Sequence, residues 1–185
     1  MGERAVDVNG TPTPPPIEEL VRAHADRLYR IAYRLTGRQD VAEDLVQDAF
    51  LDAHRNLGQL RSDGAAFPWL VSILRRRRVK WLKGKARTAI VPLPEVDLTA
   101  DVPDPPAEFD QEDLAAALAR LPDEFREPLI LFYFEEMKYR EIAEALETPI
   151  GTVMSRLARA KAMLRAALSG DGNERRSQEV RDGSH

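Results

Sequence analysis

The chain has 185 residues, 43% of them hydrophobic and 31% charged, which suits one medium domain or two small ones. It contains no cysteine, so disulfides and cysteine-based metal or redox sites are excluded. The formal net charge of −4 argues weakly against a nucleic-acid binder, but the charges are unevenly spread. Between positions 61 and 87 there are nine basic residues and one acid, Asp63, whereas positions 95 to 113 hold eight acids and no base.

In chain order, residues 1–16 are polar and proline-rich and read as a disordered tail, unlike a secretory signal. No apolar run approaches the length of a membrane span, and the expected location is the cytoplasm. A first helix is expected over 17–35, with Leu28, Ile31, Ala32 and Leu35 on one face and Gly37 as its stop. A second, over 40–57, has an apolar stripe of Val41, Ala42, Leu45, Val46, Ala49, Phe50 and Ala53. Its other face carries Asp40, Glu43, Asp44, Gln47, Asp48 and Asp52.

After a polar loop, a third helix begins near Ala65, carries Trp69, Leu70, Ile73 and Leu74, and runs into Arg75 to Arg78, Lys80, Trp81 and Lys83. Residues 88–110 form an acidic linker with five prolines, which favours extension. The second domain follows at 111–168. It has helices over 114–121, from Pro122 to Phe134, over 139–146, and from Thr148-Pro149 to about Leu168, with Thr148 as N-cap and Pro149 as first helical residue. Residues 169–185 read as a frayed tail. The fold expected is all-α: a three-helix domain at 17–87 and a four-helix domain, joined by the linker.

The last two helices match a helix-turn-helix unit. At helical spacing Ile150, Val153, Leu157, Ala160 and Leu164 share one face; Thr152, Ser155, Arg156, Arg159 and Met163 share another, and no acid occurs between Thr148 and Leu168. Hydroxyls and arginines of this kind can bond base edges and phosphates in a major groove, although a solvated basic face gives the same pattern. The arginine run bracketed by Trp69 and Trp81 suits a backbone-tracking surface, because like charges this dense repel unless a polyanion relieves them. Trp69, beside Leu70 and Ile73, reads better as core. The acidic stripe of the second helix is either a docking face for a basic partner or the solvated side of an amphipathic helix. His24, His54 and His185 show no ligand spacing, and no phosphate loop or nucleophile elbow is present. Nothing points to an enzyme, a cofactor, a metal or a small-molecule substrate.

Two sets of motifs resemble a known family. Leu121-Pro-Asp-Glu-Phe-Arg-Glu-Pro-Leu, Tyr139-Arg-Glu-Ile-Ala-Glu-Ala-Leu and Gly151-Thr-Val-Met-Ser-Arg-Leu-Ala-Arg-Ala-Lys resemble region four of the extracytoplasmic-function (ECF) sigma factors of bacterial RNA polymerase. Tyr33-Arg-Leu-Thr-Gly, Ala42-Glu-Asp-Leu-Val-Gln-Asp-Ala-Phe and Trp69-Leu-Val-Ser-Ile resemble their region two. The resemblance implies that Asp44, Gln47 and Asp48 dock on core RNA polymerase. It implies that the segment 60–83, with Arg61, Arg75, Arg76, Arg78, Lys80 and Lys83, engages the minus-ten element of promoter DNA. Thr152, Ser155, Arg156 and Arg159 would read the minus-thirty-five element, and an anti-sigma factor would be a further partner.

Departures from the family pattern are Arg76 and Lys80, where an asparagine and an aspartate are usual, Arg77 where an aliphatic residue is expected, and Glu147 where glycine is common. They imply a more purely electrostatic third helix and a looser turn. The rival readings are a stand-alone helix-turn-helix regulator that binds DNA without polymerase, and a helical adaptor that binds protein only.

Overall fold

The computed structural model describes residues 15–60, 62–85 and 111–182, and among them every regular element is a helix. Helices α1 (Ile17–Thr36), α2 (Gln39–Arg55) and α3 (Ala66–Lys85) form the first group; α4 (Gln111–Arg120), α5 (Asp123–Tyr133), α6 (Tyr139–Ala145) and α7 (Ile150–Asp182) form the second. Two 3-10 turns, Leu57–Gln59 and Asp63–Ala65, lead from α2 into α3. The expected all-α, two-domain architecture is present. The linker at 88–110, Arg61, and all but the last two residues of the expected N-terminal tail lie outside the described residues.

The first domain closes on the stripes read from the sequence. Leu28, Ile31 and Ala32 of α1 meet Ala42, Leu45 and Ala49 of α2 and Leu70 and Leu74 of α3, all buried. The alanines let the α1 and α2 backbones approach closely, which larger side chains would prevent. α1 ends at Gly37, whose φ of 66° is left-handed and whose N–H donates to the Tyr33 carbonyl at 2.8 Å, a glycine C-cap. In the second domain Phe125, Leu129, Ile142, Val153, Leu157 and Ala160 fill the space between α5, α6 and α7. The Glu141 carboxylate accepts the Lys138 backbone N–H at 2.7 Å and fixes the start of α6.

The turn between α6 and α7 differs from its sequence reading. Thr148 does not cap α7: its hydroxyl donates back to the Leu146 carbonyl at 3.0 Å. The Pro149 carbonyl accepts the first helical bonds, from Thr152 and Val153 at 2.9 and 3.1 Å, so the helix starts one residue later than expected. Glu147 sits at φ 51°, in the left-handed region that glycine adopts freely. The turn is therefore as tight as a glycine would make it, and a glutamate bears the strain. α7 also runs to Asp182, past Leu168, where the sequence suggests an end. Gly170 and Gly172 cost a helix only about 1 kcal/mol each, and no proline interrupts it.

The two domains touch. α1 packs on α5 and α3 on α6. Ile31, Leu35 and Leu74 face Leu131 and Leu146 around a gap of only about 10 Å³.

Candidate nucleic-acid interface

The polar residues grouped on one face of α7 reach solvent to different degrees. Ser155 and Arg159 are exposed, and Thr152 and Arg156 are half-buried beside them. The Ser155 hydroxyl donates to the Thr152 carbonyl at 3.0 Å, and the Arg156 guanidinium lies 3.5 Å from the Glu124 carboxylate at the start of α5. That ion pair is half-exposed and weakly held, so Arg156 can turn outward at little cost. Ile150 is a correction to the sequence reading. Placed on the apolar face by periodicity, it is 48% exposed, because that face is covered only from Val153 onward, where α5 and α6 lie against it. Met154 is exposed too, at 52%.

The four successive arginines of α3 point in different directions, as a helix requires, and each meets carboxylates of the same chain. Arg75 Nε lies 3.2 Å from Glu127 Oε2 on α5. Arg76 Nη1 lies 2.8 Å from Glu147 Oε1 in the α6–α7 turn. Arg77 turns to α2, where it grips Asp52 through two nitrogens and reaches Asp48 at 3.2 Å. That bidentate hydrogen bond, with the charge behind it, holds the Asp52 carboxyl below the usual carboxylate range. An α2–α3 contact for which an aliphatic residue was expected is thus made by an ion pair.

Arg78 departs furthest from expectation. Named as a DNA-facing residue, it is 2% exposed. Its Nη1 bonds Glu127 Oε1 at 2.8 Å and its Nη2 bonds Asp123 Oδ1 at 2.6 Å, and Arg126 holds the same Asp123 oxygen at 2.5 Å. Burial alone would raise the Asp123 carboxyl, but the Arg78 hydrogen bond and the charges of Arg78 and Arg126 outweigh it and hold it low. The repulsion along the arginine run is relieved in this arrangement by internal acids, with no external polyanion needed. Lys80 and Lys83 remain exposed.

On α2, Asp44, Gln47 and Asp48 stand exposed opposite the buried stripe, with Asp48 shared with Arg77. Trp69 and Trp81 are both half-buried against the core. Among the described residues no group of histidine and acidic side chains is placed to hold a metal ion, and no helix is long and apolar enough to cross a membrane.

Sequence reading missed a second ionic cluster. Glu135, just past α5, has a side chain only 1% exposed, beneath three arginines of α1. Arg27 Nε reaches it at 3.0 Å, Arg30 at 3.6 Å and Arg34 at 3.7 Å; Arg27 also donates to the Glu135 carbonyl at 2.8 Å. The signal was present in the spacing, since positions 27, 30 and 34 fall on one helix face.

The model for Sigma-70 region 2 matches residues 20–88, and that for Sigma-70 region 4 matches residues 111–164. The ECF RNA polymerase sigma factor SigM of Mycobacterium tuberculosis is 35% identical over 156 residues, which cover 82% of this chain and 76% of SigM. The chain belongs to the ECF sigma factors. SigE of Mycolicibacterium smegmatis, another ECF sigma factor, is 37% identical over 166 residues, covering 86% of this sigma factor and 64% of SigE. Among solved structures, the sigma factor RpoE in complex with the anti-sigma factor NepR from Bartonella quintana superposes with a TM-score of 0.66 at 26% identity. The superposition covers 82% of this sigma factor and 96% of RpoE. The arginine helix α3 and the Arg27–Arg34 face therefore belong to region two, and their partners Asp123, Glu127, Glu135 and Glu147 belong to region four.

Proposed function

We propose that this sigma factor directs core RNA polymerase to its promoters and assists their opening, with the polymerase supplying all the chemistry. The observation that carries the reading is the pairing, in one ECF chain, of a basic face on α7 that is free of acids from Ile150 to Leu168 with an exposed acidic face on α2. On α7, Thr152, Ser155, Arg156 and Arg159 read base edges in the major groove of the minus-thirty-five element. On α3, Arg75, Arg76, Lys80 and Lys83, with Arg61 before it, follow minus-ten phosphates; Arg78 joins them only where α3 parts from α5. Asp44, Gln47 and Asp48 dock on a basic surface of the polymerase. An anti-sigma factor is its regulatory partner, as NepR is for RpoE, and the cytoplasm is where all these partners meet.

Run-off transcription with purified core polymerase tests the reading. Specific initiation in the presence of this chain is expected. Binding to DNA with no run-off product would favour a stand-alone helix-turn-helix regulator. The docking face is tested by Asp44→Arg with Asp48→Arg, which should abolish capture by core polymerase while circular dichroism stays helical. Retained capture by the folded variant would remove α2 from the polymerase interface.

A further inference from the structure

The contact between regions two and four is built largely from charge, and in part from the surface that the proposed function assigns to DNA. Region two contributes Arg27, Arg30 and Arg34 of α1 and Arg75, Arg76 and Arg78 of α3. Region four contributes Asp123, Glu127, Glu135 and Glu147. The Arg78–Glu127 pair, with side chains 2% and 11% exposed, is buried on both sides, whereas Glu135 is buried beneath arginines that still reach water. The cleft of about 800 Å³ beside Leu60, Pro68, Trp69 and Arg76 is walled on its far side by Glu144 and Glu147 of region four.

The backbone is arranged around the same acids. Glu136 (φ 52°) and Glu147 (φ 51°) are the non-glycine residues with positive φ among those described. One directly follows Glu135 and the other is itself the partner of Arg76. A left-handed glutamate costs free energy that an ordinary turn residue would not, and both strained positions serve this contact.

We propose that the acidic edge of region four is an intramolecular stand-in for DNA phosphate: it latches onto the arginine face of region two and keeps the minus-ten surface occupied until DNA displaces it. This inference rests on the function proposed above. Buried ion pairs roughly break even against an apolar interface, because desolvation offsets most of their attraction. With a small apolar contact beneath them, they give a closure that is well oriented yet weak enough to reverse. Phosphates compete for Arg75, Arg76 and Arg78 on equal chemical terms, since both ligands are anionic oxygens that accept from guanidinium. A latch closed about nine-tenths of the time lowers apparent DNA affinity about tenfold, by removing the competent form.

The absence of cysteine makes the test direct. His54→Cys on α2 and Ala166→Cys on α7, both exposed sites in opposite domains, take a donor and an acceptor dye on the full chain. Energy transfer should be high in the free protein and fall when a short duplex of random sequence is added. Glu135→Gln with Glu147→Gln should lower transfer without DNA and tighten duplex binding about tenfold. The charge-matched control Glu18→Gln with Glu19→Gln, on the exposed start of α1, should do neither. Glu147→Gln alone, at a surface site, should act in the same direction should the double variant fail to fold by circular dichroism. Transfer that is low in the free wild type, or that the folded latch variants leave unchanged, overturns the latch. So does equal tightening by the control. Run-off transcription separates the two readings: a chain that closes but never initiates refutes the function and not the closure, and one that initiates without closing refutes the latch alone.

Discussion

Arg78→Met distinguishes a buried cross-domain arginine from a solvent-facing one. Arg78 is 2% exposed and bonds Glu127 at 2.8 Å and Asp123 at 2.6 Å. Removing one member of a buried ion pair costs about 3–5 kcal/mol, because the carboxylates left behind keep their desolvation penalty. Two neighbours limit the loss: Arg75 still holds Glu127 from 3.2 Å, and Arg126 still holds Asp123 from 2.5 Å. The local cost is therefore at the lower end, about 3 kcal/mol. Region four can swing away, however, so the measured loss is capped at the closure itself, about 1.4 kcal/mol for domains closed nine-tenths of the time. The stranded acids can regain water if region four swings away, so the loss falls on the coupling between regions and each helical core keeps its own stability. In urea unfolding of the full chain, the fluorescence of Trp69 and Trp81, both in region two, should separate further from the circular dichroism signal than it does without the substitution. Adding Glu127→Leu should recover most of the loss, because apolar groups of similar size replace the pair without an orphaned charge. A shift within about 0.5 kcal/mol, the range of an ordinary surface substitution, would refute the burial and return Arg78 to the DNA-facing set.

Arg156→Ala should weaken binding to a cognate minus-thirty-five element by about 1–3 kcal/mol and to random DNA much less; an equal loss in a gel-shift comparison would make Arg156 a phosphate contact. Arg76→Asn with Lys80→Asp should lower the slope of log affinity against log salt for holoenzyme–promoter binding by roughly 2 units, with little change in minus-ten base preference. The His24 imidazole, half-buried against Phe67 and near Arg27, titrates below its usual value through burial first and the arginine charge second. A depressed pKa means the unfolded chain takes up the proton first, so stability is full above about pH 6.5 and declines as pH falls below it. Thermal melts at pH 7.5 and 5.5 should show the decline, and His24→Gln should flatten it. Asp123 has the same sign at lower pH: its contribution, complete above about pH 4, is lost as pH falls through its depressed pKa.

Helix number, helix order and the buried stripes were legible in the sequence because hydrophobic periodicity reports a face, and burial follows the face. Val153, Leu157, Ala160 and Leu164 are all buried as the spacing implied. Periodicity does not report what covers that face, and so Ile150 was misplaced. Charge was harder to read. The arginine run was conspicuous, but its partners lie 49 residues away at Glu127 and 71 at Glu147, across the acidic linker. No local rule connects such positions. Repulsion within the run implied an external polyanion, whereas the fold brings its own carboxylates to it. Arg77 and Glu147 each broke a family pattern, and each proves to be one half of an ion pair whose other half lies on another element, α2 for Arg77 and α3 for Glu147.

The buried Arg78 also bears on modularity. Sigma regions two and four are attractive units to exchange when promoter specificities are recombined, since each has its own core and a linker joins them. In this chain the exchange is not free. A graft of region four from a relative lacking acids at positions 123 and 127 would leave Arg78 facing the seam with no partner on the other side. On the latch proposed above, such a hybrid would spend more time open and bind DNA more readily. Functional hybrids should be found among donors that carry both carboxylates, or after compensating change at position 78. The three positions form one heritable unit distributed over two domains.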